Sequence, residues 1–160
     1  MKRTVLIPTD FTIESLNLLK YALQVPDENK VNVVLVLGLR LSDSIMDLLF
    51  LSRKEEVENL MSDDFKTACK IMRNKYAGRL NSFRIEIFSG FTQSSFRNFL
   101  EGNQITEIFI PRDYVLKSPA KKSFALMPFI QANKYLVTEV SWEPVLNVPE
   151  KNQVAEVFLI

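Results

Sequence analysis

The sequence predicts a parallel α/β domain, on three observations. Short apolar segments alternate with amphipathic ones along most of the chain, as strands joined by helical crossovers require. Val31 to Leu37 is almost continuously apolar and rich in β-branched residues, the composition of an inner strand covered on both faces. Thr4-Val5-Leu6-Ile7 runs through Pro8-Thr9-Asp10 straight into an amphipathic stretch, which sets a carboxylate at the carboxyl end of a strand, where open α/β sheets bind ligands.

Each element has its own justification. Thr4 to Ile7 is the first strand, and the helix after it repeats apolar residues at Ile13, Leu16, Leu19 and Leu23, with Thr12 placed to cap its free amides. Pro26 and Asp27 end that helix. Val31 to Leu37 is the second strand, closed by Gly38. Asp43 to Leu51 crowds Ile45, Met46, Leu48, Leu49, Phe50 and Leu51 together and is expected to be a helical lid on the core, with a partner-binding patch as the alternative. Ser52 and Glu55 have capping-box spacing. The helix they open carries Val57, Leu60, Met61, Phe65, Ala68, Cys69, Met72 and Tyr76 on one stripe, with Gly78 as its stop. Cys69 falls inside the stripe and is expected to be a buried hydrophobe, not a reactive thiol.

Phe83 to Phe88 alternates apolar with charged residues, which predicts an edge strand with one wet face. Gly90 turns the chain into a helix over Thr92 to Glu101, ended by Gly102, and Ile108 to Ile110 is the fourth strand, ended by Pro111. Ser118-Pro119 opens a helix expected to run to about Asn133, kinked at Pro128. Tyr135 to Trp142 is the fifth strand, and Gln153 to Ile160 is a sixth extended segment. Residues 1–143 are assigned to one domain and 144–160 to a C-terminal extension that forms an edge or dimer strand.

Composition narrows the chemistry. A chain of 160 residues is most economically one core. Lys and Arg number 20 against 19 Asp and Glu, so no global field favours nucleic acid or an anionic membrane, and neither is expected as a partner. No apolar run approaches the ~18 residues of a membrane span, and a cytoplasmic location is expected. Cys69 is the single cysteine, which excludes an intrachain disulfide, and there is no histidine. Ser-His and Cys-His nucleophile systems are therefore excluded, as is a structural zinc site; no metal site is expected. Glu55-Glu56 and Asp63-Asp64 read as polar helix positions and not as an acid and base across a cleft.

Val5-Leu6-Ile7-Pro8-Thr9-Asp10-Phe11, followed by Glu14-Ser15-Leu16 and Leu19-Lys20-Tyr21-Ala22-Leu23, resembles the opening of the universal stress protein family. Ser89-Gly90-Phe91-Thr92 and Thr106-Glu107-Ile108-Phe109-Ile110 continue the likeness, which spans residues 2 to 142. The resemblance implies a three-layer sandwich of the adenine nucleotide alpha hydrolase-like kind: a five-stranded parallel sheet in the order 3-2-1-4-5 with helices on both faces. It also implies a homodimer. In members that bind ATP, the aspartate after the first strand contacts the adenosine end, and a Gly-x2-Gly-x9-Gly loop followed by Ser or Thr holds the phosphates. Aligned on the fourth strand, this chain has Pro111, Tyr114 and Phe124 at the glycine positions and Ala125 at the hydroxyl position. Proline has no amide to offer, and the two rings bring bulk where backbone must approach phosphate.

The expectation is a non-catalytic universal stress protein-like module that acts in stress response through protein association, with no bound cofactor and an unidentified protein partner. The alternative is a receptor for ATP, AMP or another small anion. It would keep the adenosine end through Thr9 and Asp10 and replace the glycine loop by Lys117, Ser118, Lys121 and Lys122, where a helix N-terminus and ammonium groups meet an anion. Catalytic residues are not expected; related ATP pyrophosphatases carry a glycine-rich loop after the first strand, where this chain has Pro8-Thr9-Asp10-Phe11.

Overall fold

The structure is a computed structural model that describes residues 3–24, 30–40, 58–112, 116, 123–133 and 136–140. In chain order these form β1 (Arg3–Pro8), a 3-10 turn (Ile13–Ser15), α1 (Leu16–Gln24), β2 (Val31–Leu39), α2 (Asp63–Lys75) and β3 (Leu80–Phe88). There follow α3 (Gln93–Gly102), β4 (Glu107–Pro111), β5 (Ser123–Phe124), α4 (Met127–Gln131) and β6 (Val137–Val140). The main sheet runs β3-β2-β1-β4-β6 with every pair parallel, which is the expected order, β6 being the fifth strand anticipated near Tyr135 to Trp142. Among the described residues no helix is long and apolar enough to cross a membrane.

The alternation of side chains along the inner strands builds two cores. Val5 and Ile7 of β1, with Val33, Leu35 and Leu37 of β2, face α1 and α2 through Leu16, Leu19, Phe65 and Met72. Leu6, Val34, Val36, Ile108 and Ile110 face the other way, against Phe96 and Leu100 of α3 and Ile130 of α4. This two-sided burial is why β1, β2 and β4 are apolar nearly throughout, since both successive Cβ directions end in a core. β3 is the sheet edge that its alternation predicted.

Four expectations are corrected. The helix stripe from Val57 to Tyr76 is interrupted at Met61-Ser62: α2 starts at Asp63, the Ser62 hydroxyl accepts the Phe65 amide at 3.1 Å, and Asp63 and Asp64 occupy the first turn. A serine cap followed by two acids is a stronger start signal than the helix could override. Its end also comes early, at Lys75 with Tyr76 as cap, so Gly78 does not terminate it.

The long helix from Ser118 to Asn133 is not formed over its described part. Ser123–Phe124 is instead a short strand antiparallel to β2, and only Met127–Gln131 is helical. Pro128 therefore does not kink a helix interior; it lies in the first turn of α4, where its missing amide has no intrahelical partner to lose. The lid over Asp43 to Leu51, the Ser52–Glu55 capping box and the extended segment from Gln153 to Ile160 lie outside the described residues.

β5 pairs Gly38 with Phe124 and Leu39 with Ser123, while the other side of Gly38 pairs with Phe88 of β3. β1 ends lower, at Pro8 opposite Val36. β5 thus occupies the place in the sheet that β1 vacates. The approach is close: a Cβ on Gly38 would lie 2.6 Å from the Phe124 carbonyl oxygen and 2.9 Å from its ring.

Gly38→Ala should accordingly destabilise the protein by about 1 to 3 kcal/mol through overpacking. Gly102, with open space around its Cβ position and no positive φ, is the contrasting site. There Gly102→Ala should stabilise by about 0.4 to 1 kcal/mol, and urea unfolding of the two variants reads both signs.

Candidate functional site

The carboxyl ends of β1, β2 and β4 form the crevice where the order of strands reverses, the place such sheets use for ligands. Its chemistry begins with how β1 ends. The Thr9 amide donates to the Val36 carbonyl at 2.9 Å, after which the chain leaves the sheet. Phe11 makes that exit with a φ of 60°, a conformation that a bulky side chain adopts at a cost of roughly 1 to 2 kcal/mol. Burial of its ring against Phe65, centroids 5.4 Å apart, offsets that cost.

Asp10 and Thr9 hold the exit from within. Asp10 Oδ1 accepts the Thr12 amide at 3.1 Å and the Thr12 hydroxyl. Thr9 Oγ1 accepts the Phe11 amide at 3.1 Å and lies 2.9 Å from the Ser15 hydroxyl, which itself stands 2.7 Å from the Thr12 carbonyl. Since Ser15 has one proton to donate and gives it to that carbonyl, Thr9 is the donor to Ser15. Thr9 and Asp10 are 3% and 2% exposed, so both face into the turn and not into open crevice. Thr12 does not cap the helix as expected: no side-chain cap bond is made, because its hydroxyl is turned back to Asp10. The hydroxyl gives its proton to the carboxylate in a charge-assisted bond, which fixes it on the Asp10 side of the turn.

The neighbouring wall is aromatic. The Phe124 ring lies 6.1 Å from those of Phe88 and Phe129, and the Arg40 guanidinium sits 5.8 Å from its centroid. Pro111 closes β4 opposite Val140, and Ala125 is exposed beyond β5. Tyr114, Lys117, Ser118, Lys121 and Lys122 lie outside the described residues. Among the described residues of the anticipated site, Thr9 and Asp10 stand together at the end of β1.

A cleft of about 700 Å³ opens on the other side of β4, between Pro111 and Arg112, the start of α4 at Met127, and Glu139 of β6. Neither Thr9 nor Asp10 lines it. Arg112 and Glu139 pair at 3.5 Å, both well exposed, a contact worth little in water. The single thiol takes part in neither place. Cys69 is buried on α2, and desolvation pushes it up to about 12, against the partial opposition of Arg73. It is therefore no nucleophile near neutral pH.

Two signals in the sequence could have revealed more. Gly38 at the end of an inner strand marks a close backbone approach, here by β5. Ser15, three residues after Thr12, could have been read as the hydroxyl that joins Thr9 to the helix start. The left-handed Phe11 had no signal, because the sequence gives no reason for a phenylalanine there.

No protein-family model and no curated protein sequence matches the chain. Solved structures do resemble it. The hypothetical protein PH0823 is similar at a TM-score of 0.51 with 18% identity, over 89% of this chain and 99% of its own. The hypothetical protein MJ0577 gives 0.50 with 15% identity over 88% and 98%, and the universal stress protein UspA from Lactobacillus plantarum gives 0.51 with 11% over 88% and 97%. The fold is therefore that of universal stress proteins.

Asp10→Ala should cost about 1 to 3 kcal/mol, since it removes the buried carboxylate that accepts from the half-buried Thr12 amide and hydroxyl, and Asp10→Asn should cost clearly less by keeping Oδ1; urea unfolding distinguishes them. For Cys69 the folded state holds the thiol protonated above its ordinary value of 9.0. Its stabilising effect is complete below 9.0 and declines as pH rises from there toward about 12. The stability difference between wild type and Cys69→Ala, followed by urea unfolding, should change over that alkaline window and be flat between pH 6 and about 8.

Proposed function

We propose that the chain is a non-catalytic universal stress protein-like module that acts in stress response through protein association and does not bind ATP. One observation carries this reading: Thr9 and Asp10, the residues that would meet a nucleotide's adenosine end, are buried in hydrogen bonds to the Phe11-Thr12-Ser15 turn. Phe124 and Pro111 support it, since the first is packed against Gly38 and the second has no amide to give a phosphate. The fold likeness to UspA supports the stress-protein part of the reading.

The module is proposed to be cytoplasmic and homodimeric, with residues 144–160 as the dimer determinant. An apolar ending from Val154 to Ile160 suits strand addition to a sheet edge. Light scattering should give a dimer mass for the full chain and a monomer mass for a chain ended at Glu143. Equal masses would remove the tail from the account.

Calorimetric titration of the full chain with magnesium ATP decides the nucleotide question. No saturable heat is expected up to about 1 mM, whereas a dissociation constant in the micromolar range would overturn the proposal. Loss of that heat in a Lys121→Gln, Lys122→Gln variant would then establish the receptor reading in its place.

A further inference from the structure

The outer flank of α2 and the strand β3 meet in a groove of about 460 Å³, within the size range of small-molecule sites. Its floor is apolar, formed by Met61, Cys69, Phe83 and Ile85. Phe83 and Ile85, two residues apart on β3, share the face that packs toward α2, and with Met61 they stay half-buried against the core that contains Cys69. The rim is basic: Lys66, Lys70 and Arg73 line it against one acid, Glu58. The spacing i, i+4, i+7 sets the three cations in a row along one side of the helix. All three are exposed, and no carboxylate among the described residues pairs with them. Like charges at this spacing repel one another, so the helix keeps the row at a cost in stability.

The groove has a direction. Arg73 lies over the Phe83 ring, 5.1 Å from its centroid, and the helical rise sets it about 10 Å along the axis from Lys66. Glu58 precedes Met61 by three residues and stands where α2 begins, at the end away from Arg73. An anion is therefore favoured most at Lys70 and Arg73 and least beside Glu58. One face of the Phe83 ring is taken by Arg73, which leaves an aromatic ligand little to stack on. A flexible aliphatic chain suits the remaining floor of Met61, Cys69 and Ile85 better.

We propose that this groove binds a single-chain amphiphilic anion, a medium-chain fatty carboxylate being the simplest, with its head between Lys70 and Arg73 and its chain over Ile85, Cys69 and Met61. Both halves of the groove are then used. The head relieves the mutual repulsion of the cations, and the chain takes from water an apolar floor that the fold leaves half-buried. A nucleic acid would meet the cations and leave the floor unused. Neither Thr9 nor Asp10 lines the groove, and the inference goes beyond the association reading: neither ATP heat nor dimer mass enters its test.

Calorimetric titration of the full chain with decanoate should give saturable heat with a dissociation constant below about 1 mM. Octanoate should bind about 10-fold more weakly, for the loss of two buried methylenes, and decyltrimethylammonium should not bind. Lys70→Gln with Arg73→Gln should weaken decanoate binding about 5-fold and leave the ratio of decanoate to octanoate unchanged. Heteronuclear amide spectra locate the ligand on the wild-type chain and check that the double variant is folded. The shifts at decanoate saturation should centre on Cys69, Lys70, Arg73, Phe83 and Ile85.

Absent saturation by decanoate, equal binding of octanoate or of the ammonium amphiphile, or undiminished binding in the folded double variant would each overturn the proposal. So would amide shifts centred on Ile110, Arg112 and Val137, which would seat the chain in the cleft beside β4. Cosedimentation with phosphatidylglycerol vesicles that decanoate does not reverse would also overturn it, by making the cation row a membrane contact.

Discussion

The approach of Phe124 to Gly38 is the constraint on which the carboxyl end of the sheet depends. A backbone carbonyl and an aromatic ring both stand within 3 Å of where any other residue would place its Cβ, so only glycine permits β5 to pair with the end of β2. With β5 there, the line that β1 would continue is occupied, and β1 must leave the sheet after Thr9. The left-handed Phe11 and the Asp10-Thr12 bonds accomplish that exit in a few residues. Packing at one face and turn chemistry at the other thus act on the same spot.

That arrangement gives Asp10 a structural role sufficient to explain its presence. A carboxylate that accepts an amide and a hydroxyl at the head of a helix also suits the helix dipole, so stability alone would retain it. Retention of an aspartate at this point of the fold is for that reason poor evidence of a ligand. Thr9 is more telling, because its hydroxyl both accepts from Phe11 and reaches Ser15, which ties the strand end to the helix start.

The strands and their order were legible because burial on both faces leaves a strong compositional mark on β1, β2 and β4, and half-exposure leaves a different one on β3. Over the described part, Ser123 to Asn133, the expected helix fails because Ser-Pro and a run of helix-compatible residues carry local information only. The pairing of Ser123–Phe124 with a strand about 85 residues earlier is long-range, and no local propensity specifies it. Pro128 was visible but ambiguous, since the same residue breaks a helix interior and begins a helix well. At the site, Asp10 was placed correctly at the end of β1, while the direction of its bonds was not legible: Thr12 could equally have faced the helix.

The end of β1 is closed upon its own turn, and the central proposal is that it receives no nucleotide. Amide hydrogen exchange of Phe11, Thr12 and Ser15 in the full chain, with and without a large excess of ATP, addresses it most directly. The account predicts that all three amides are protected in the free protein, through Thr9, Asp10 and the Thr12 carbonyl, and that nucleotide leaves their rates unchanged. Rapid exchange in the free protein that slows when ATP is added would contradict it.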